Sequence, residues 1–200
     1  YGNVKRPTHY NTSWDFAKFE VCAHKWLDLS EDGYGISILN DCKYGCSVHD
    51  GVIGLSMLKS AVYPNPDADK EHHTFWYSIC PHEGDFREGD TIAKAYVFNN
   101  PYQAVEKQSA AGTLAPAYNW VECNVPNVII EAVKEAEDSR DIIVRCYECY
   151  NRRSNVTMNF QLPVESISVC NMLEREDEKL ADHTDSVTFE MKPFEIKTLK

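Results

Sequence analysis

The chain has 200 residues, 43% of them hydrophobic and 26% charged, a balance that suits one or two ordinary globular domains and not a disordered polymer. Twenty basic against thirty-one acidic residues leave a net charge of -11, so nucleic acid would meet repulsion in place of the basic stripe that phosphate neutralisation needs. No apolar run approaches the ~20 residues that cross a bilayer, and no basic segment followed by an apolar one opens the chain, so neither a membrane-spanning helix nor a retained signal peptide is expected.

The first residue is Tyr1, not Met, and the opening composition is not that of a leader, so the sequence reads as a piece of a longer protein. Apolar residues at every second position predict half-buried strands over residues 19–29, 34–39, 44–48, 52–58 and 74–80. Turns are marked by Gly33, Asn40-Asp41, Asp50-Gly51 and Pro64-Asn65-Pro66. Asp50-Gly51 between Val48 and Val52 is a two-residue hairpin signal, because a type I′ turn needs positive φ at both central positions. Between residues 91 and 98 the period changes. Ile92, Ala93, Tyr96 and Val97 fall on one face of a short helix turned to a core.

Residues 103–117, rich in Ala, read as a linker, which divides the chain into 1–116 and 117–200 with charges of -5 and -6. Beyond it, strands are expected over 128–136, 142–150, 156–161, 164–173, 187–191 and 194–199. Turns at 137–140, 151–154 and 181–185 separate them, and the acidic run 174–178 reads as a solvated loop. The fold class that follows is all-β, with a small antiparallel sandwich at the C-terminus.

Eight cysteines stand at 22, 42, 46, 80, 123, 146, 149 and 170. Several replace an apolar residue within a strand pattern, as Cys146 does after Ile142 and Val144, so they read as buried thiols of a reducing compartment, not as a disulfide framework. Two sequons, Asn11-Thr12-Ser13 and Asn155-Val156-Thr157, point the other way, but three-residue motifs arise easily by chance. Cys42, Cys46 and His49 are spaced like metal ligands around Tyr44-Gly45, with no fourth ligand near them.

No nucleophile elbow, phosphate-cradling loop or zinc-protease motif is present. The residues that stand out lie in two loops, Asn40 to Gly45 and Pro81 to Glu88, where acids, bases and aromatic rings are close together. Loop polar groups beside aromatic faces suit sugar recognition. The plainer reading is that Asp41 and Asp85 stabilise turns and that Arg87 pairs with a nearby acid. Glu83 and Asp85 have no second group fixed opposite them and do not form the flanking pair that glycoside hydrolysis needs.

Longer strings carry a resemblance. Arg6-Pro7-Thr8-His9-Tyr10-Asn11-Thr12-Ser13-Trp14-Asp15, Phe19-Glu20-Val21-Cys22-Ala23-His24-Lys25-Trp26-Leu27-Asp28-Leu29-Ser30, Leu39-Asn40-Asp41-Cys42-Lys43-Tyr44-Gly45, Tyr63-Pro64-Asn65-Pro66-Asp67-Ala68-Asp69, Pro81-His82-Glu83-Gly84-Asp85, Pro126 to Lys134 and Lys192 to Leu199 resemble the C-terminal region of glycoside hydrolase family 38 α-mannosidases, in the bacterial and cytosolic branch. The resemblance covers nearly the whole chain.

It implies the C-terminal part of a large mutarotase-like β-sandwich followed by a smaller antiparallel one. It further implies a retaining exo-mannosidase as parent, with an Asp nucleophile, a carboxylic acid/base and a zinc ion, all in a preceding part of the protein, so no catalytic residue or metal ligand is carried onto this chain and none of its residues is expected to bind the zinc. Asp41, Lys43, His82, Asp85 and Arg87 are the expected substrate-proximal residues. A cytoplasmic location, a mannose-containing oligosaccharide as substrate, the catalytic part of the same protein as partner and self-association of the isolated chain are also expected, with no nucleic-acid or membrane partner. Two other readings are a free-standing carbohydrate-binding sandwich and an oligomerisation module.

Overall fold

The computed structural model describes residues 1–106, 111–113 and 115–200; part of the expected linker, 107–110 and 114, lies outside them. The chain forms two compact units, one of Lys5–Gln108 and one in which Tyr1–Val4 joins Ser109–Lys200.

The first unit begins with a helix the strand pattern did not anticipate, α1 (Ser13–Ala17). Its cause is a capping box: Thr12 Oγ1 accepts from the Asp15 N–H at 3.2 Å, and Asp15 Oδ2 accepts from the Thr12 N–H at 3.1 Å. The strand expected over 19–29 is broken in two, β1 (Val21–Cys22) and β2 (Trp26–Glu31), because Lys25 takes a left-handed φ of 67° between them. β3 (Tyr34–Asn40), β4 (Gly45–His49), β5 (Val52–Leu55) and β6 (Tyr77–His82) follow.

They build two antiparallel three-stranded sheets, β1-β4-β5 and β2-β3-β6. The β4–β5 hairpin closes at the expected turn: His49 pairs with Val52, and Asp50 and Gly51 have φ of 48° and 73°. Helix α2 (Thr91–Asn99) has its closest strand neighbours in β3 and β2 and buries Thr91, Ile92 and Ala95. The expected buried face is turned by about one position, for Val97 is exposed and Ala95 replaces it in the core.

The second unit holds β7 (Val121–Cys123), β8 (Val128–Glu135), β9 (Ile142–Glu148), β10 (Ser154–Cys170), β11 (Glu176–Met191) and β12 (Ile196–Leu199). Their order is β11-β10-β12-β9-β8, with β7 on the first half of β10. The two strands expected over 156–161 and 164–173 are one, β10, whose register against β11 shifts between Asn159 and Val164. Pro163 sits in that gap: it lacks an N–H for the ladder, so the strand bends there without ending.

Opposite it, the expected turn at 181–185 is also strand, with His183 at φ 44° taking up the irregularity. The acidic run is corrected as well. Glu176 onward belongs to β11, while Glu174 is clasped, pairing with Lys134 at 2.8 Å and accepting the Glu137 N–H.

Alternation places Val144 and Cys146 of β9, Val156, Met158 and Phe160 of β10, Val187, Phe189 and Met191 of β11 and Leu199 of β12 in one core cluster. All eight cysteines are free thiols, but not all are buried as expected: Cys22 and Cys42 are exposed, and Cys80 and Cys123 are half-buried. At Cys146 burial outweighs every other influence and pushes the thiol up to about 12.

Candidate functional site

Strand β6 positions all five residues singled out by sequence, and it places them at its two ends. Tyr77 at its start pairs with Asn40, which leads directly into Asp41 and Lys43. His82 at its finish pairs with Gly35 and leads into the loop carrying Asp85 and Arg87. At ~3.3 Å per residue the two ends lie about 17 Å apart, so the five residues form two groups and not one pocket.

At the far end His82 is enclosed. Its Nε2 lies 2.8 Å from Asp28 Oδ1, its Nδ1 faces the Glu83 carbonyl at 3.2 Å, and the side chains of His82 and Asp28 are only 4% and 6% exposed. Ser37 Oγ donates to the same Asp28 oxygen at 2.7 Å and lies 2.6 Å from Thr91 Oγ1 at the start of α2. Two glycines make room for the ring. A Cβ on Gly35 would stand 2.2 Å from His82 Cε1, and one on Gly89 would stand 2.6 Å from His82 Cγ.

His82 thus ties β2, β3 and α2 together inside the unit. Asp28, Ser37 and Thr91 were not singled out by sequence; the available signal was Asp28, a carboxylate inside the strand pattern between Trp26 and Ser30.

In the loop that follows, Asp85 accepts the Arg87 backbone N–H at 2.8 Å and pairs with the Arg87 guanidinium, which also stands 4.4 Å from the Phe86 ring. Burial alone pushes the Asp85 carboxyl up, but the Arg87 N–H and charge outweigh it and hold the group below the usual carboxylate range. Phe86 is buried and stacks on Trp26 at 5.1 Å. Asp85 and Arg87 therefore engage each other, and the loop is an ordered turn.

The near end is different. Asp41 and Trp76 clasp through two backbone contacts: the Asp41 N–H donates to the Trp76 carbonyl at 3.3 Å, and the Trp76 N–H donates to Asp41 Oδ2 at 3.1 Å. Tyr44 Oη donates to the Asp41 carbonyl at 3.3 Å, and the Lys43 ammonium stands 5.3 Å from the Phe75 ring. Burial pushes Asp41 up, but hydrogen bonds from the Cys42 thiol and the Trp76 N–H more than compensate and hold its carboxyl below the ordinary range. Asn40 Oδ1 and Asp41 Oδ1 are both buried and without a hydrogen-bond partner. Trp76, Tyr77 and Tyr44 leave 67%, 50% and 39% of their surface exposed.

Cys42, Cys46 and His49 do not fit a metal. Cys42 is exposed, the buried Cys46 thiol donates to the Val21 carbonyl, and the His49 ring stacks on Tyr10 at 4.0 Å. No group of three His, Cys, Asp or Glu that could hold an ion occurs among the described residues. No helix among them is long and apolar enough to cross a membrane.

Residues 1–67 match the glycosyl hydrolases family 38 C-terminal domain, and residues 127–199 match the glycosyl hydrolases family 38 C-terminal beta sandwich domain. Over its full length the chain is 41% identical to alpha-mannosidase 2C1 of Homo sapiens and 41% identical to alpha-mannosidase G of Dictyostelium discoideum, spanning 19% of each. It is 34% identical to an alpha-mannosidase of Saccharomyces cerevisiae, of which it spans 20%. The chain thus spans about a fifth of the length of these relatives. In fold it is similar to an alpha-mannosidase from Enterococcus faecalis V583, with a TM-score of 0.78 at 20% identity over 98% of this chain and 23% of that one.

Proposed function

The chain belongs to glycosyl hydrolase family 38, as its C-terminal region, and from that premise we propose that it serves a retaining exo-α-mannosidase that removes terminal α-linked mannose from oligosaccharides. The observation that carries this reading is the 41% identity to two alpha-mannosidases sustained across the whole chain. In this reading the Asp nucleophile, the acid/base carboxyl and the zinc ion belong to the remainder of the parent protein. When bound, the zinc would act as a Lewis acid on sugar hydroxyls. The part of this chain is scaffolding. Residues 1–116 supply the remainder of a large sandwich and residues 117–200 a small one, and both serve the catalytic part of the same polypeptide in the cytoplasm.

An apolar face supports that role. Leu27 and Leu29 of β2, Ile36 and Ile38 of β3, and Tyr77, Ile79 and Pro81 of β6 share one side of their sheet by register, and Ile79 is 61% exposed. The isolated chain covers this face by self-association in our reading.

The test is an α-mannosidase assay with and without zinc, run on this chain and on a longer polypeptide that includes it. The chain alone is expected to give no turnover and the longer polypeptide to give zinc-dependent turnover. Turnover by the 200 residues alone would overturn the division of roles. Light scattering at micromolar concentration checks the association, which a monodisperse monomer would exclude.

A further inference from the structure

We propose that Glu148 builds a seat on the second unit for the extended strap Tyr1–Val4, and that the seated strap fastens the chain where it leaves that unit for Lys5–Gln108. The strap is already set apart from the residues that follow it, since Tyr1–Val4 groups with the C-terminal part of the chain. Its contacts are independent of the mannosidase reading.

The strap touches the seat at three places. The Tyr1 ring meets the Tyr147 ring edge-on at 5.0 Å, and Asn3 Nδ2 donates to the Cys149 carbonyl at 2.9 Å. Between them Gly2, at a φ of 89°, lies against Phe194, where a Cβ would stand 3.2 Å from ring atom Cδ1. Glycine suits both the left-handed backbone and the close approach.

The seat is itself strained. Phe194 holds a φ of 55°, a left-handed conformation unfavourable for a bulky side chain, and such a residue persists only where its surroundings fix it. What fixes it is Glu148, which is fully buried. Glu148 Oε2 accepts the Phe194 N–H at 2.9 Å, while Oε1 accepts the Tyr150 N–H at 2.7 Å and Asn127 Nδ2 at 2.9 Å. The Glu148 N–H donates to the Glu195 carbonyl at 3.0 Å. A carboxylate is expensive to bury unless donors converge on it, and here three do.

One side chain therefore joins the residue before β8, the exit of β9 and the turn into β12. Those segments carry the Cys149 carbonyl and the Phe194 ring on which the strap lies. The dependence runs one way: Glu148 fixes Phe194, and Phe194 receives Gly2.

The experiment is nuclear magnetic resonance on the isotopically labelled 200-residue chain, read at the Tyr1–Tyr147 nuclear Overhauser cross-peak and at the amide proton of residue 194. In the unaltered chain the cross-peak is expected, with order parameters of residues 2–4 near the ~0.85 of rigid backbone. Glu148→Gln keeps an oxygen for Tyr150 and Asn127 and turns its amide group to the Phe194 N–H, so that one bond is lost. The Phe194 amide should then move upfield and the cross-peak weaken about tenfold, with strap order parameters falling below ~0.6. In Phe194→Gly the backbone accepts a positive φ without strain, so the residue 194 amide should stay in place while the cross-peak weakens about as much. Gly2→Val should also release the strap and leave the Phe194 amide unmoved.

A Tyr1–Tyr147 cross-peak at full strength in both Glu148→Gln and Phe194→Gly would overturn the proposal, as would its absence from the unaltered chain. So would a Gly2→Val protein whose Phe194 amide moves as far as in Glu148→Gln, because the strap would then support the seat instead of resting on it. If Glu148→Gln loses its spectral dispersion, Phe194→Gly decides: a released strap supports the proposal and a seated one overturns it.

Discussion

The two units differ in how fully they bury their own apolar residues. Among the described residues, the unit completed by Ser109–Lys200 contributes seventeen buried hydrophobic side chains and the unit of Lys5–Gln108 only six, although the second is slightly the longer. Large exposed hydrophobics follow the opposite trend, with Trp14, Phe16, Phe19, Trp76, Tyr77 and Ile79 all in the Lys5–Gln108 unit. The reason is architectural. One six-stranded sheet with two strands of 17 and 16 residues folds around one large cluster and a smaller one of Ala136, Ile143 and Cys170, whereas two three-stranded sheets each offer short strands and more edge per residue.

In the Lys5–Gln108 unit, polar devices take up the work of packing: the Asp28–His82–Ser37–Thr91 network, the Asp85–Arg87 pair and the Asp41–Trp76 clasp. The comparison teaches that one unit is held by apolar volume and the other by hydrogen-bond geometry, and the two respond to different perturbations.

The largest effect should come from removing core volume. Met158 is fully buried, so Met158→Ala should cost about 2–5 kcal/mol in urea unfolding, while Val97→Ala, on an exposed position of α2, should stay within ~0.5 kcal/mol. Equal losses at the two sites would erase the contrast between the units.

Next comes alkaline pH. The Cys146 thiol is pushed up to about 12 in the folded unit from 9.0, so the folded state keeps its proton where the unfolded chain has lost it. Its stabilising contribution is complete below pH 9.0 and is lost as pH rises from there to about 12, at ~1.4 kcal/mol per pH unit at most. Cys146→Ala should flatten that slope in unfolding curves followed by circular dichroism, and an unchanged slope would remove Cys146 as its source.

The smaller effect concerns the polar unit. Gly35→Ala sets a methyl group 2.2 Å from His82 Cε1, which displaces the ring from Asp28, and should cost ~1–3 kcal/mol. Gly33→Ala provides the contrast, because a Cβ there meets nothing within 4 Å and only the positive φ of 82° opposes it. A strain-free Gly35→Ala protein would show that the His82 slot is not what holds this unit.

Much of the local structure was legible. Alternation located the cores of most strands, though not β7 or the first part of β11, Asp50-Gly51 fixed its hairpin through the positive φ it permits, and the change of period at residue 91 revealed α2. Other local readings failed for physical reasons. Residues 156–161 and 164–173 read as two strands, yet a bulge absorbs the missing N–H of Pro163 within the single strand β10. Thr12 and Asp15 carried a capping signal too short to stand out from the strand pattern. Lys25 adopted a left-handed conformation that nothing in its side chain announces.

At the site, residue type was informative and grouping was not. Asp41, Lys43, His82, Asp85 and Arg87 were recognisable as polar groups beside aromatic rings. Asp28, Ser37 and Trp76, which partner them, come from positions up to 54 residues away.

By itself, then, the sequence determined the all-β class, the hairpin and helix positions and the family to which the chain belongs, because periodicity, turn chemistry and long motifs are properties of neighbouring residues. The tertiary structure decided that two of the five residues stand at one end of β6 and three at the other, that Arg87 is spent on Asp85, and that Asp41 and Asn40 each keep an oxygen without a donor. Those facts depend on strand register and on which side chains fill the same space, and pairings between distant segments leave no trace in local spacing.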